Sequence, residues 1–408
     1  MKQVLNIFYL SNERFPAKLA CTMQQMVMCE AFAKAGARVQ LVHPAFFDMP
    51  PHSTREIQAF YNVEPCFRMI KLFSLLSLSK RPVDGRKHFK IPFVGGFSLL
   101  ISTWFYAIKT LTSRELDAPT VVYSRNVVSA FVFLKLARGL VRKKNVKVIF
   151  EVHSLDQQYP RRFFHKLLRE SDGLICITKA LRDALEKKYG VSPEKVLVAP
   201  DGVKKNQLQA VLSKKEARKK LGILAERLVL YTGQILPGKG ADVFIEAARF
   251  FKKDLQFVLV GGHGNYMKRL RQKVREQDLK NVELVGFVPP ASVSLYQAAA
   301  DILVLPATAN HAISAYTSPL KLFEYMAARR PIVASNLPVL GEVLVDGQNV
   351  LLFQERDAVD LAKKIKTLLA DSALQKRLVQ HAWEQVQQYT WEKRARRILD
   401  FIQGGAVL

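Results

Sequence analysis

Short apolar runs alternate with segments of helical periodicity along nearly the whole chain. Strand-like runs occupy 3–10, 38–43, 119–124, 146–151, 172–177 and 195–198 in the first half, and 227–233, 255–261, 281–285, 301–305, 331–334 and 349–353 in the second. Between them, segments such as 22–34, 241–251 and 267–277 repeat apolar residues at helical spacing. This alternation predicts parallel sheets covered by helices on both faces. It therefore predicts an α/β protein with two doubly wound, Rossmann-like domains, each with a ligand crevice at the carboxyl ends of its strands.

The length of the chain and two interruptions place a domain boundary near residue 199. At 408 residues the chain is too long for one ordinary core. Ala199-Pro-Asp-Gly-Val203 interrupts the chain after a strand, and Thr390 is predicted to cap a last helix over 391–403. We therefore predict an N-terminal domain formed by 1–199, onto which 390–408 cross back, and a C-terminal domain formed by 200–389.

The charge of the chain is strongly positive. It has 62 Lys and Arg against 35 Asp and Glu, a net charge of +27, and residues 1–150 alone hold 22 basic residues against 8 acidic ones. Such a surface attracts nucleic acid, anionic lipid headgroups or phosphorylated substrates. No nucleic-acid reader motif or aromatic platform accompanies the charge, so we expect no nucleic-acid partner.

The cysteines and the N-terminus indicate a cytoplasmic protein. Cys21, Cys29, Cys66 and Cys176 form no CxxC pair, which indicates a reducing compartment and argues against a disulfide framework or a zinc site. The first apolar run is short and no signal-peptide cleavage site follows it, so we predict that it is a buried strand.

One region departs from the alternation. Residues 62–90 carry seven Lys and Arg between apolar residues, and 91–108 then run without a charge. The uncharged run barely reaches the length of a membrane span, and Pro92, Gly95 and Gly96 interrupt its start. Three interpretations stay open: a buried helix, an apolar surface that faces a membrane, and a span. A basic and apolar insertion suits the second, which suggests peripheral attachment to the anionic inner face of a membrane.

A helix start follows the apolar run at 301–305 and a polar loop. Ser318 is predicted to be the N-cap, with Pro319 in the first turn and Lys321 three residues in. A helix N-terminus offers free N–H groups and the positive end of the helix dipole, which suits a phosphate. Glu324, further along the helix, is placed to accept hydrogen bonds from the sugar of a nucleotide. The alternative is a well-capped helix without a ligand.

Glycines follow two other strands of the second half. Gly233 begins a turn that leads to Lys239, which brings a positive charge to the start of the next helix. Gly261-Gly-His-Gly264 is not a GxGxxG fingerprint, and it more simply allows the backbone to approach a ligand.

Together, these motifs resemble the family-4 ("group 1") retaining glycosyltransferases with the GT-B fold. In family order the second half contains Tyr231-Thr-Gly-Gln-Ile-Leu-Pro-Gly-Lys-Gly240, Phe257-Val-Leu-Val-Gly-Gly262, Val285-Gly-Phe-Val-Pro289, Ser318-Pro-Leu-Lys-Leu-Phe-Glu-Tyr-Met-Ala327 and Pro331-Ile-Val-Ala-Ser-Asn-Leu-Pro338. The first half adds Phe150-Glu-Val-His153 and Ala199-Pro-Asp-Gly-Val203. The resemblance covers the chain from 119 onward and, less specifically, the first strand and helix. It implies two Rossmann-like domains that face an interdomain cleft, with the nucleotide-sugar donor on the C-terminal domain and the acceptor on the N-terminal one.

The resemblance also implies roles for single residues. Lys239 would bind the donor diphosphate, Glu324 the ribose hydroxyls and His153 the donor sugar near the reacting carbon, and these three are the catalytic candidates. The full donor-binding set is Gly233, Gln234, Lys239, Gly261, Gly262, Val288, Tyr316, Thr317, Ser318, Pro319, Leu320, Lys321 and Glu324. The acceptor-binding candidates end a strand or lie in the glycine-free loop after the first strand: Arg125, Asn126, Arg14 and Lys18.

The chain departs from the family pattern at two positions. Gln234 stands where the family often has an arginine, and Tyr316 stands where it has the first of two glutamates separated by seven residues. We expect Lys321 to replace the missing arginine charge. A hydroxyl or backbone N–H of 316–318 is the candidate replacement for the missing carboxylate.

The predicted function is retaining transfer of a hexose-type sugar from a UDP- or GDP-sugar to a hydroxyl of a glycan or lipid-linked acceptor, in the synthesis of a cell-surface polysaccharide or glycolipid. Positive groups would stabilise the leaving diphosphate, which itself takes the acceptor proton. Because no DxD motif occurs in a suitable loop, neither a metal nor a cofactor is expected. Two alternatives stay open: a non-catalytic relative that binds a glycan or lipid, and a two-Rossmann nucleotide-sugar epimerase.

Overall fold

The computed structural model divides the chain into two compact units. The first is formed by Met1–Pro200 with Glu392–Leu408, and the second by Asp201–Trp391. Each unit contains one parallel sheet, which confirms the predicted fold class. The structure describes residues 4–17, 19–45, 52–73, 101, 103–108, 118–140, 146–155, 161–209, 212–252, 254–309 and 315–404.

The first unit is built on a seven-stranded sheet of order β3-β2-β1-β4-β5-β6-β7. Its strands are β1 (Asn6–Leu10), β2 (Arg38–Ala45), β3 (Arg68–Phe73), β4 (Thr120–Ser124), β5 (Val146–Val152), β6 (Gly173–Cys176) and β7 (Val196–Val198). Its helices include α1 (Ala20–Lys34), α2 (Thr54–Phe60), α3 (Val127–Leu140), α4 (Arg161–Glu170) and α5 (Lys179–Tyr189). Every residue of the central strands β1 and β4 is buried, as expected of aromatic and β-branched residues inside a doubly covered sheet.

Strand β3 was missed by the sequence prediction. It pairs only with β2 among the described strands and lies at the edge of the sheet. Its Arg68 and Lys71 are exposed, so the strand lacks the continuous apolar run of its neighbours. The predicted strands and the observed ones otherwise coincide within a few residues at each end.

The second unit is built on a six-stranded sheet of order β10-β9-β8-β11-β12-β13. The strands are β8 (Arg227–Thr232), β9 (Leu255–Val260), β10 (Val282–Gly286), β11 (Ile302–Leu305), β12 (Ile332–Ser335) and β13 (Leu351–Phe353). The helices are α6 (Lys205–Gln209), α7 (Lys214–Leu221), α8 (Ala241–Ala247), α9 (Gly264–Glu276), α10 (Pro290–Ala299), α11 (Leu320–Ala327), α12 (Ala358–Ala370) and α13 (Ser372–Val386). A last helix, α14 (Trp391–Gln403), belongs to the first unit from Glu392 onward.

The uncharged run 91–108 is described only in part. Residues 74–100 and 102 lie outside the described residues, whereas 101 and 103–108 are helical. In this helix Thr103 and Ala107 are buried, while Ile101, Trp104 and Phe105 are exposed. No helix in the described ranges combines the length and the apolar composition needed to cross a bilayer.

Candidate active site

Three glycines meet at the carboxyl edge of the second sheet, where β8, β9 and β10 end side by side. The Gly233 N–H donates to the Val260 carbonyl (2.9 Å), and the Gly261 N–H donates to the Gly286 carbonyl (2.6 Å). Gly261 has φ +117°, and a Cβ there would come within 2.0 Å of the Gly233 carbonyl oxygen. Only glycine fits this approach. The neighbouring Gly262 lies against Ile235.

Lys239 lies just before α8 rather than inside it. The helix begins at Ala241, with Gly240 at the N-cap in the left-handed conformation. A Cβ at Gly240 would lie 1.5 Å from the carbonyl oxygen of Pro306, which follows β11. The Tyr231 hydroxyl donates to the Lys239 carbonyl (2.8 Å), so the backbone that carries Lys239 is held by strand β8. Burial lowers the pKa of the Lys239 amine.

The side chain of Lys321 reaches from α11 to the end of β8. Its Nζ lies 4.4 Å from the centroid of the Tyr231 ring and 3.4 Å from the Tyr231 hydroxyl oxygen. A Cβ on Gly233 would lie 2.7 Å from this Nζ, so the glycine leaves the space that the amine occupies. Burial, followed by the charge of Lys239, lowers the pKa of Lys321 to about 7. The Lys321 amine thus lies at a glycine turn whose far end carries Lys239, and an amine beside a glycine turn is suited to an anion.

Glu324 lies one turn after Lys321 on the same helix. Gln297 Nε2 donates to its Oε2 (3.3 Å), and the carboxylate is half-buried. Burial raises the pKa of Glu324, against the effects of Gln297 and Lys321. The Tyr325 hydroxyl accepts from the Thr232 N–H (2.8 Å), which ties α11 to the end of β8. Glu324 is thus held within reach of the turn at Gly233.

The predicted cap of this helix was wrong. The helix begins at Leu320, and Pro319 is the N-cap with an extended backbone (φ −77°, ψ 122°). Ser318 is buried, and its hydroxyl accepts from the Asp201 N–H (3.2 Å) instead of from the helix. The physical reason is that the hydroxyl satisfies a backbone donor of the 199–203 segment. The first N–H groups of α11 lack intrahelical acceptors, as at any helix start.

The other predicted donor-binding residues lie in the loops that follow β8 and β10 and in the loop before α11. Tyr316 and Thr317 are half-buried in the loop before α11, and Gln234 is half-buried beside Gly233. Val288 packs on the apolar core of the second unit. The roles of these residues stay predictions.

In the first unit, His153 directly follows β5. Its Nε2 lies 2.6 Å from Oε1 of Glu151, a carboxylate with no exposed surface. Burial, followed by the charge of Arg125, lowers the pKa of His153 to about 4. The imidazole is therefore neutral at physiological pH.

The predicted acceptor residues lie in different surroundings. Arg125 donates to the Gln24 side-chain oxygen and contacts the Cys21 carbonyl (3.5 Å), next to the start of α1. Asn126 Oδ1 accepts from the Ser129 N–H (2.8 Å), the contact of an N-cap for α3. Arg14 is half-buried in the loop after β1, and Lys18 lies outside the described residues.

Sequence reasoning missed several residues of both sites. Tyr231, Gln297 and Tyr325 organise the second unit's edge, whereas in the first unit Glu151 contacts His153 and is itself bound by Arg394. Glu151 carried a signal, because a carboxylate between the apolar residues Phe150 and Val152 of a predicted buried strand requires a buried partner. Among the residues that the structure describes, no group of three or more His, Cys, Asp or Glu side chains could hold a metal ion.

Two family models match this chain. Residues 213–385 match "Glycosyl transferases group 1", and residues 26–207 match "Glycosyltransferase Family 4". An uncharacterised glycosyltransferase of Methanocaldococcus jannaschii is 28% identical over 233 residues, which are 57% of this chain and 60% of that relative. A D-inositol 3-phosphate glycosyltransferase of Geodermatophilus obscurus is 29% identical over 241 residues, 56% of this chain and 51% of the relative. The chain thus spans between half and two thirds of these curated relatives.

Solved structures resemble the whole chain. Sucrose-phosphate synthase from Thermosynechococcus elongatus superposes with a TM-score of 0.72 at 22% identity, over 98% of both chains. Anabaena HepE in complex with UDP gives a TM-score of 0.73 at 14% identity, over 98% of this chain and 100% of HepE. HepE in complex with UDP-glucose gives 0.71 at 16% identity, over 98% and 99% of the two chains. At these identities the likeness shows the fold.

Proposed function

Because the chain belongs to the group 1, family 4 glycosyltransferases and has their GT-B fold, we propose that it transfers a sugar from a nucleoside diphosphate to an acceptor hydroxyl, with retention at the anomeric carbon. The observation that carries the proposal is the position of the Lys321 amine against Gly233, at the start of the turn that leads to Lys239. HepE binds UDP and UDP-glucose in structures of the same fold, so UDP-sugars are the first donors to test and GDP-sugars the second.

The second unit supplies what a diphosphate leaving group requires. The amines of Lys239 and Lys321 and the first N–H groups of α11 would stabilise the charge that develops as the glycosidic bond breaks. Lys321 supplies the charge that Gln234 lacks. Glu324 accepts hydrogen bonds from ribose hydroxyls, and the glycines at 233 and 261 allow the backbone to approach the donor.

The first unit supplies the groups proposed for the transferred sugar and the acceptor. His153 contacts the transferred sugar, and the leaving phosphate takes the acceptor proton as the acceptor oxygen attacks. Arg14 and Arg125 are the described candidates for an anionic group of the acceptor. This scheme requires no pair of catalytic carboxylates, in contrast to glycoside hydrolysis.

The surface of the first unit favours a lipid-linked acceptor at an anionic membrane. A hollow of 430 Å³ on α4 is lined by Arg162, His165, Lys166 and Arg169. Phe163 on the same helix is 43% exposed, and Trp104 and Phe105 are 45% and 62% exposed. Cationic and exposed aromatic side chains on one helix, as on α4, are typical of proteins that lie on anionic bilayers. We therefore place the protein at the cytoplasmic face of a membrane, in glycolipid or cell-surface polysaccharide synthesis.

The test of the transferase proposal is a panel of UDP- and GDP-sugars, each incubated with and without a lipid-linked acceptor extract. Release of nucleoside diphosphate that requires the acceptor supports the proposal. Isomerisation of the donor without acceptor would identify an epimerase. Donor binding without turnover would identify a non-catalytic relative. The departures from the family pattern at Gln234 and Tyr316 favour this alternative. A Lys239→Met variant serves as the inactive control.

The test of the membrane proposal is co-sedimentation with vesicles. We expect binding to phosphatidylglycerol vesicles at low salt, weaker binding at high salt and none to neutral vesicles. Replacing Arg162, Lys166 and Arg169 by glutamine should weaken binding. The matched control replaces Lys215, Lys219 and Lys220 of α7, which removes the same charge from the second unit. An equal loss of vesicle binding in both variants would contradict the assignment of the membrane-binding surface to α4.

A further inference from the structure

Glu151 collects four hydrogen-bond donors inside the first unit. Its Oε1 accepts from Gln24 Nε2 (2.7 Å), His153 Nε2 (2.6 Å) and Arg394 Nη2 (2.9 Å), and its Oε2 accepts from the Tyr123 hydroxyl. The four donors come from α1, the residue after β5, α14 and β4. So many partners on one fully buried carboxylate fix both its position and its orientation.

Arg394 supplies the positive charge that balances the buried Glu151 carboxylate. It is 4% exposed, and its Nε also donates to the carbonyls of Ala199 (3.0 Å) and Pro200 (3.1 Å). Burial alone would raise the pKa of Glu151, but Arg394 and His153 hold it well below its usual value. Glu151 is therefore a carboxylate, and a carboxylate can only accept hydrogen bonds.

This charge state determines which nitrogen of His153 carries the proton. A neutral imidazole next to a carboxylate donates to it, so Nε2 is protonated and Nδ1 keeps its lone pair. Nδ1 makes no hydrogen bond to any residue that the structure describes. The ring keeps 22% of its side-chain surface exposed, so a ligand can reach it.

We propose that Glu151 and Arg394 are positioning residues that hold His153 with its proton on Nε2 and thereby present Nδ1 as a hydrogen-bond acceptor to a hydroxyl of the transferred sugar. The sugar contact rests on the proposed function, whereas the assignment of the proton does not. The C-terminal helix α14 thus has a part in the site, because Arg394 is its contribution to the network.

The first experiment is a two-bond ¹H–¹⁵N NMR correlation on full-length protein labelled with ¹⁵N-histidine. The His153 signals, identified by their absence in His153→Gln, should show the Nε2–H tautomer. In Glu151→Gln the pattern should shift toward a mixture of tautomers, because the amide can donate as well as accept. The matched control is Glu30→Gln, which neutralises another buried carboxylate of this unit, paired with Lys34, and should leave His153 unchanged. An Nδ1–H tautomer in the unmodified protein would overturn the proposal.

The second experiment separates turnover from donor binding. Glu151→Gln should lower kcat by about 10- to 100-fold, since a hydrogen bond to the reacting sugar is misdirected, while the Kd for UDP stays unchanged. Arg394→Lys should retain more activity than Arg394→Met; if the latter fails to fold, Tyr123→Phe tests the network instead. A normal kcat in a Glu151→Gln variant with an altered tautomer would refute the sugar contact. If UDP does not bind the unmodified protein, the proposed function fails while the NMR result still decides the proton position.

Discussion

Replacing Lys321 by methionine is expected to weaken nucleoside diphosphate binding and, at the same time, to stabilise the ligand-free protein. The amine has a pKa of about 7, so roughly 0.9 of it is protonated at pH 6 and roughly 0.1 at pH 8. A diphosphate binds the protonated form. The contribution of Lys321 to UDP affinity should therefore fall about tenfold between these two pH values. At pH 6, a lost charge-assisted hydrogen bond of about 1.5–3 kcal/mol corresponds to a roughly 10- to 160-fold weaker Kd in Lys321→Met.

The stability effect of this substitution has the opposite sign. The folded-state pKa lies below the usual value of 10.5, so the unfolded chain binds the extra proton between about pH 7 and pH 10.5. Stability of the unmodified protein should rise with pH across that window. The full cost of the buried ammonium, at most about 5 kcal/mol, is present below pH 7. Because the side chain keeps some solvent access and contacts the Tyr231 ring, we expect Lys321→Met to gain about 2 kcal/mol near pH 7.

The assay is calorimetric titration with UDP at pH 6, 7 and 8, combined with thermal unfolding of the ligand-free protein. UDP itself gains a proton near pH 6, so the informative quantity is the difference in pH slope between the unmodified protein and the variant. Lys366→Met is the matched control, because Lys366 also lies over an aromatic ring, 5.4 Å from the Phe251 centroid, but is exposed on α12. The same Kd and the same pH slope in Lys321→Met and the unmodified protein would refute the reasoning.

Two further predictions concern the same edge of the sheet. Gly240→Ala should destabilise the second unit by about 3 kcal/mol or more in urea denaturation, because its Cβ would lie 1.5 Å from the Pro306 carbonyl oxygen at φ +81°. The control is Gly341→Ala, where the added Cβ meets open space. Equal denaturation midpoints for the two variants would contradict the close approach of Gly240 to Pro306. Glu324→Ala should weaken UDP binding about tenfold by loss of the ribose contact and leave pyrophosphate binding unchanged. An equal loss of affinity for the two ligands would show that Glu324 acts on the diphosphate region.

One of the two departures from the family pattern, Gln234, has a physical setting in the structure. Lys321 lies against Gly233, next to Gln234 in the chain, which supports the proposal that its amine replaces the missing arginine charge. The replacement for the carboxylate expected at Tyr316 stays a prediction. The contact between Lys321 and Gly233 therefore supports the proposed nucleotide end of the donor site.

The amino-acid sequence by itself determined the fold class and nearly all of the strands. Parallel strands are buried on both faces, so each one reads as a continuous apolar run whatever its neighbours are. The sequence also placed the candidate residues at strand ends, such as Gly233 and His153, because a strand end is a local feature. It failed at β3, whose exposed edge carries Arg68 and Lys71, and at Ser318, whose hydroxyl bonds a distant backbone N–H instead of capping the helix.

Only the tertiary structure decided which of these ends belong together. Lys321 and Tyr231 are 90 residues apart and meet because β8 and β11 are neighbours in the sheet. Glu151 and Arg394 are 243 residues apart and meet because the last helix returns to the first unit. Periodicity reports how each segment is buried, but not which segments are adjacent. The contact between Lys321 and Tyr231 and the pairing of Glu151 with Arg394, on which the proposed proton position on His153 depends, follow from that adjacency.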